Sequence, residues 1–351
     1  MKVVTKSLYL LLVFVMVLSL AACNTSAPAA TEEPAAPAAE EAAPAEEEAP
    51  AEEAAPAEKT YEDLVVGFAQ VGAESGWRTA ETDSIKAEAE ALGVKLQFSD
   101  AQQKQENQIK AIRSFIAQQV DVIGVAPVVE TGWETVFQEA ADAGIPIILV
   151  DRGADVSEDL YATFIGSDFV LEGENACKEM AELLGGEGNI VELEGTVGAG
   201  PAIDRKEGFD ACMEANYPNI TILESQTGDF TRAKGKEVME AFLKTYGEEI
   251  DGVYAHNDDM ALGAIQAIEE AGFVPAEDIK IVSIDGVKGI FEAMAAGKAN
   301  VTVECNPLLG PQFYEAALTL ANGGTVDKWI KSDEGIFRAD TAAEDLPTRT
   351  Y

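Results

Sequence analysis

Ile145-Pro-Ile-Ile-Leu-Val-Asp151-Arg152 is an unbroken apolar run that stops on a carboxylate and a guanidinium. Nothing from Ile147 to Val150 alternates with polar residues, so the run reads as a strand buried on both faces. Pro146 fits its start, where the missing N–H costs no ladder bond. Strands of this kind belong to parallel sheets covered by helices, and ligands of such sheets sit beyond the carboxyl ends of the strands. Asp151 and Arg152 would arrive there as acceptor oxygens beside a rigid fork of donors. That pairing suits a neutral polyol, whose hydroxyls both donate and accept.

The same design recurs on both sides of this stretch. Before it, Leu64–Ala69, Val94–Phe98 and Val120–Ala126 read as strands, separated by helical patterns over Arg78–Ala91, Gln105–Gln118 and Trp133–Ala143. Ala162–Ile165 reads as a short strand or a crossing segment. The pattern then restarts. Strands are expected at Ile190–Glu194, Ile220–Glu224, Gly252–Ala255, Ile279–Ile284 and Val301–Glu304. Helices are expected at Leu171–Leu184, Ala202–Ala215, Ala233–Tyr246, Met260–Ala271, Ile290–Ala296 and Pro311–Ala321. Two such series with no long linker imply an α/β protein of two doubly wound parallel-sheet lobes facing one cleft. A single sheet with this many strands would be unusual. The tail beyond Ile336 is ambiguous.

The N-terminal part is of another kind. Lys2 and Lys6 precede an apolar segment from Leu8 to Leu20, and Leu18-Ser-Leu-Ala-Ala-Cys23 puts small residues directly before a cysteine. Residues 1–22 read as a leader, with an apolar run short for a bilayer span. From Asn24 to about Thr60 the chain is mostly Ala, Pro and Glu, with almost nothing apolar to bury beyond Ala. Such a segment cannot offset its ordering entropy, and it reads as an extended tether.

Composition excludes several functions. The 351 residues carry 63 acidic and 24 basic side chains, a formal net charge of -39. Nucleic acid requires basic surface and is excluded as a partner. Anionic substrates and anionic lipid headgroups are disfavoured, and a monomer that handles neutral or cationic small molecules is expected. The single His256 argues against a His-dependent hydrolase. Cys177, Cys212 and Cys305 have no metal-like spacing, and either one disulfide plus a free thiol or three thiols would satisfy the sequence. Gly195-Thr-Val-Gly198-Ala-Gly200 departs from the dinucleotide-binding spacing, so no nucleotide, metal or other cofactor is expected.

Polar groups of fixed geometry gather at the strand ends. Gln70-Val-Gly-Ala-Glu74-Ser-Gly-Trp77-Arg78 follows the first strand, and Asp100-Ala-Gln-Gln103 the second. Asn257, Asp285 and Glu304 end or follow later ones. Trp77, and Phe230 within Thr227-Gly-Asp-Phe-Thr-Arg232, offer aromatic faces. Arg205 lies in the first turn of a helix after the glycine-rich loop.

Taken together, Asp151-Arg152, Arg205 with Gly208-Phe209, Asp229-Phe230, Asn257-Asp-Asp-Met-Ala-Leu-Gly263 and Ser283-Ile-Asp-Gly286 resemble the periplasmic sugar-binding proteins of ABC importers. The likeness is to the branch that holds ribose- and galactose-binding proteins. Gln70–Arg78, Gln102–Lys110, Ala126–Trp133 and Ser225–Arg232 are most similar to its galactofuranose-binding members. The resemblance implies two Rossmann-like lobes joined by three crossing segments. One would comprise residues 61–165 and 306–334, the other 166–305 and 335–351. It implies a non-enzymatic protein that captures a monosaccharide between the lobes and delivers it to an ABC permease, or presents it to a membrane kinase or chemoreceptor. A paired-carboxylate glycosidase is the enzymatic alternative, but a nearby Arg lowers a carboxylate pKa where such an enzyme needs one raised. By the same resemblance Asp151, Arg152, Arg205, Phe230, Asn257 and Asp285 contact the sugar, with Glu74, Trp77, Arg78, Gln103 and Glu304 as further candidates. Cys23 resembles the lipidated cysteine of bacterial lipoproteins and would anchor the exported protein to a membrane.

Overall fold

The computed structural model describes residues 58–351. The leader, Cys23 and nearly all of the tether lie outside these residues. The tether's last positions are docked: Lys59 donates from its backbone N–H to Asn322 and from Nζ to Asp121.

The chain runs β1 (Val65–Gln70), α1 (Gly76–Leu92), β2 (Lys95–Asp100), α2 (Gln105–Ala117), β3 (Val122–Val125), α3 (Glu134–Asp142), β4 (Ile147–Val150) and β5 (Thr163–Gly166). It continues through α4 (Phe169–Leu184), β6 (Gly188–Glu194), α5 (Gly200–Asn216), β7 (Ile220–Thr227), α6 (Arg232–Tyr246), β8 (Gly252–Ala255) and α7 (Asp258–Glu270). Then come β9 (Lys280–Asp285), α8 (Lys288–Ala295), β10 (Val301–Glu304), α9 (Gly310–Ala321), β11 (Trp329–Lys331), β12 (Ile336–Arg338) and α10 (Ala342–Asp345).

Two six-stranded sheets result, in the orders β11-β5-β4-β3-β1-β2 and β12-β10-β9-β8-β6-β7. Every pairing is parallel except that of β12 with β10. Each sheet is covered by helices on both faces, which is why β3, β4 and β8 are buried at every position. The chain passes between sheets three times: between β5 and α4, between β10 and α9, and between β11 and β12. Although α9 follows the second sheet's strands, it returns to the first lobe, where Phe313 meets Phe68 edge to face at 5.3 Å. The ambiguous tail resolves into the antiparallel edge strand β12 and the short helix α10.

Helix α1 begins earlier than the apolar pattern suggests, because Ser75 Oγ accepts from Arg78 N–H at 3.1 Å and caps the helix. Trp77 therefore stands with Arg78 in the helix's first turn. Cys177 and Cys212 form a disulfide between α4 and α5, and Cys305 is a buried free thiol, so the first of the two cysteine alternatives holds. The same helix pair is packed so closely that a Cβ on Gly173 would lie 2.2 Å from the Arg205 carbonyl oxygen.

Candidate functional site

Strand β4 delivers Asp151 and Arg152 to its carboxyl end, and α1 brings Arg78 to meet them. Arg78 is buried and surrounded by carboxylates. It donates from Nε to Glu74 at 3.1 Å, from Nη1 to Glu81 at 2.7 Å and from Nη2 to Asp151. Arg152 donates to Glu74 at 3.2 Å and to the Val128 carbonyl at 3.1 Å. Gln70, at the end of β1, fixes Glu81 from the far side at 2.8 Å.

The second lobe supplies a matching group. Arg205 donates from Nε to Glu172 at 2.7 Å and from Nη1 to the His256 carbonyl at 2.6 Å, while Nη2 lies 3.6 Å from Asp285. Asn257 caps α7 by accepting from Met260 N–H at 3.0 Å and donates to the Phe230 carbonyl at 3.2 Å, which leaves one amide N–H uncommitted. Phe230 packs against the backbone of Gly195, where an added Cβ would fall 2.0 Å from the ring. Asp151, Phe230 and Asp285 all have positive φ, at 62°, 59° and 129°. Backbone held in such sparsely populated regions costs on the order of 1–3 kcal/mol per residue and gathers at functional sites.

The two groups face each other across a void of about 290 Å³, open solvent at its mouth included. Its walls are Glu74, Trp77, Arg78, Asp151 and Arg152 from the first lobe and Arg205, Phe230, Asn257 and Asp285 from the second, with Ser75, Pro201 and Cys305 completing them. The lobes touch at its edges. Gly76 N–H donates to Asp259 at 2.7 Å, Trp77 Nε1 to the Cys305 carbonyl at 2.5 Å, and Glu130 N–H to the Gly198 carbonyl at 2.9 Å. The Arg152 guanidinium lies 5.5 Å from the Phe230 ring centre across the gap.

Nine of the eleven residues expected at the site from the sequence line this void, and two do not. Glu304 ends β10 but turns away, because Arg349 donates to it at 2.6 Å, the Tyr351 hydroxyl at 2.9 Å and Gly335 N–H at 3.0 Å. The chain's last residues thus claim a carboxylate that strand position alone would assign to the cleft. Gln103 sits in an exposed turn at φ 59° and packs over Gly72. Three wall residues were not anticipated. Ser75 and Pro201 had a helix-capping signal and a helix-start signal, while Cys305 enters only because the chain crosses between lobes just there. Asp258, next to Asn257, is internal: it accepts from Ser283, Thr302 and Val287 N–H at 2.5, 2.9 and 2.8 Å.

The walls hold three carboxyl groups and three guanidiniums. Burial opposes ionisation of Glu74, but Arg78 and Arg152 outweigh it and hold the carboxyl below its ordinary range. For Asp285 burial wins, reinforced by the neighbouring carboxylates Asp258, Glu172 and Asp259, and the pKa rises well above the ordinary range despite Arg205. Asp285 can therefore hold a proton and donate it in a hydrogen bond. Glu74 Oε2 and Arg152 Nε are buried and make no hydrogen bond among the described residues, Arg152 Nε lying 3.7 Å from the Asp151 carboxylate. Leaving such groups unpaired is costly, and a hydroxylated molecule in the gap would satisfy them.

The sequence profile of the family described as "periplasmic binding protein domain" matches residues 66–325. The galactofuranose-binding protein of Escherichia coli K12 is 52% identical over 288 residues, which is 81% of this chain and 90% of that protein. Among solved structures, the chain is similar to the periplasmic binding protein of the arabinose ABC transporter from Shewanella sp. ANA-3, bound to α- and β-L-arabinofuranose. That similarity is 52% identity at a TM-score of 0.79, covering 82% of this chain and 96% of that one. A Mycobacterium smegmatis protein in complex with β-D-fucofuranose is 54% identical at a TM-score of 0.80, covering 82% and 95%.

Proposed function

The chain belongs to the periplasmic binding protein family, and from that premise we propose that it captures a neutral monosaccharide in the furanose form, of the galactofuranose type, and passes it to an ABC permease. It is a binding protein and not an enzyme, and it works outside the cytoplasm, as its family does. The observation that carries the sugar reading is the composition of the gap. Three guanidiniums stand among three carboxyl groups there, and Glu74 Oε2 and Arg152 Nε make no hydrogen bond among the described residues. A charged ligand would meet side chains of its own sign, and an apolar one would leave those two atoms without a hydrogen bond.

On this reading Arg152 and Arg205 donate to ring and hydroxyl oxygens, Asp151 accepts from hydroxyls, and Asp285 accepts from them or shares a proton with them. The faces of Trp77 and Phe230 pack on the sugar's C–H surface. A sugar lacking one of the recognised hydroxyls leaves its partner unpaired and is rejected. The furanose-bound relatives, at more than half identity, support the ring form. Lipidated Cys23 would hold a monomer at the membrane through the tether.

A thermal-shift screen tests this. D-galactose, L-arabinose and D-fucose should raise Tm at millimolar concentrations, because each populates furanose forms in solution. Methyl pyranosides of the same sugars, which cannot change ring size, should leave it unchanged. Equal stabilisation by the pyranosides would overturn the furanose reading, and stabilisation only by charged solutes would overturn the sugar reading.

A further inference from the structure

Behind the second-lobe wall lies a chain of buried polar groups that touches none of the ligand's space. Glu192, on β6, and His256, directly after β8, are both fully buried. Glu192 Oε1 lies 2.9 Å from His256 Nε2, and its other oxygen accepts from Lys206 Nζ and from Ser225 Oγ. The imidazole's Nδ1 accepts from the Gly195 backbone N–H at 3.3 Å. With Nδ1 accepting, Nε2 carries the hydrogen and donates to Glu192, so the two partners fix both tautomer and ring orientation. Burial works against the Glu192 charge, but His256 and Lys206 outweigh it and hold the carboxyl down at about 2.

Three wall residues depend on this ring. Gly195 is the backbone on which Phe230 rests, and Thr227 bonds its carbonyl at 2.6 Å to close the same turn. The His256 carbonyl receives Arg205 Nη1 at 2.6 Å. Asn257 is the next residue. A shift of the imidazole would therefore move the aromatic platform, the guanidinium and the amide together. Misplacement of recognition groups by about 1 Å is enough to cost binding that depends on preorganisation.

We infer that His256, oriented by Glu192, is a positioning residue for the sugar pocket, setting Phe230 and Arg205 without meeting the ligand. The inference rests on the proposed sugar-binding role for its ligand readout, but the arrangement of the loops can be read without any ligand.

The test compares His256→Leu, His256→Gln and Met180→Ala. Met180 is a buried residue of α4, packed beneath Gly252 at the opposite end of the β8 strand, and serves as a stability control. Leu removes both ring partners, whereas the Gln amide offers one acceptor and one donor at about the same separation. Calorimetry with D-galactose should show at least a tenfold loss of affinity for His256→Leu and a loss of under threefold for His256→Gln. Met180→Ala, although it lowers Tm, should stay within twofold of wild type. Amide hydrogen exchange of ligand-free protein should speed up at least tenfold at residues 195–200 and 227–231 in His256→Leu only. If His256→Leu does not fold, Glu192→Gln takes its place, with a loss of at least threefold expected. Affinity and exchange in either variant that match Met180→Ala would overturn the inference. Wild-type protein that binds no D-galactose would count against the sugar reading alone, and the exchange result would then decide this one.

Discussion

The backbone N–H of Gly76, at the first turn of α1, donates to the Asp259 carboxylate on α7 at 2.7 Å, and so joins the two lobes at the lip of the pocket. Asp259 is itself held by Arg232 at 2.9 Å, so it is poised before the lobes meet. This bond belongs to the closed arrangement, and lobe closure around a ligand draws its free energy from such contacts. Asp259→Ala should therefore weaken sugar binding by about 1–2 kcal/mol, roughly tenfold in Kd, with little change in ligand-free Tm. Calorimetry beside thermal unfolding checks this, and small-angle scattering should show a more open ligand-bound particle.

Arg152 and Asp151 make the sharper test of recognition. Arg152→Ala leaves Glu74 with one cation fewer, and Asp151→Ala leaves Arg78 with one anion fewer, among buried side chains. Each should cost roughly 2 kcal/mol or more of binding, from an unsatisfied buried group. Unchanged calorimetric affinity in both variants would refute the placement of the ligand beside them.

Glu334 joins all three crossing segments. It accepts from Ser167 on the first and from Asn306 N–H at 3.2 Å on the second, and itself stands on the third. Burial and the neighbouring Glu172 push its carboxyl up to about 8, against the pull of Ser167, Asn306 and Arg205. A carboxyl raised in the folded protein binds its proton more tightly there than in the unfolded chain. Its stabilisation is complete below the ordinary value near 4.5, declines as pH rises and is gone above about 8. Wild type should lose Tm between pH 5 and 8, and Glu334→Gln should lose less over the same range. Parallel Tm profiles of the two proteins would contradict this.

Much of the fold could be read from the chain because buried parallel strands leave a plain signature. Ile147–Val150 and Gly252–Ala255 coincide with their apolar runs, and Asp151, Arg152 and Asn257 just beyond them reach the gap. The site was legible where a residue ends a strand or stands one or two positions beyond it, as for Asp285, Asp151 and Asn257. It was not legible where tertiary partners decide. Glu304 has the right strand position, yet Arg349 and Tyr351, more than forty residues on, draw it elsewhere. Cys305 reaches the wall through a crossing whose path depends on both sheets. His256 and Glu192 lie 64 positions apart and meet only because β6 and β8 are neighbours in the sheet, an order no local pattern encodes.

The most direct measurement concerns the ring form of the captured sugar. Protein loaded with D-galactose labelled with carbon-13 at C1, freed of excess sugar by rapid desalting, should give a bound anomeric resonance in the furanose region of the NMR spectrum. That form should be enriched far above its minor share in solution. A bound resonance of pyranose form, or labelled sugar lost entirely on desalting while a charged solute is retained, would contradict the account.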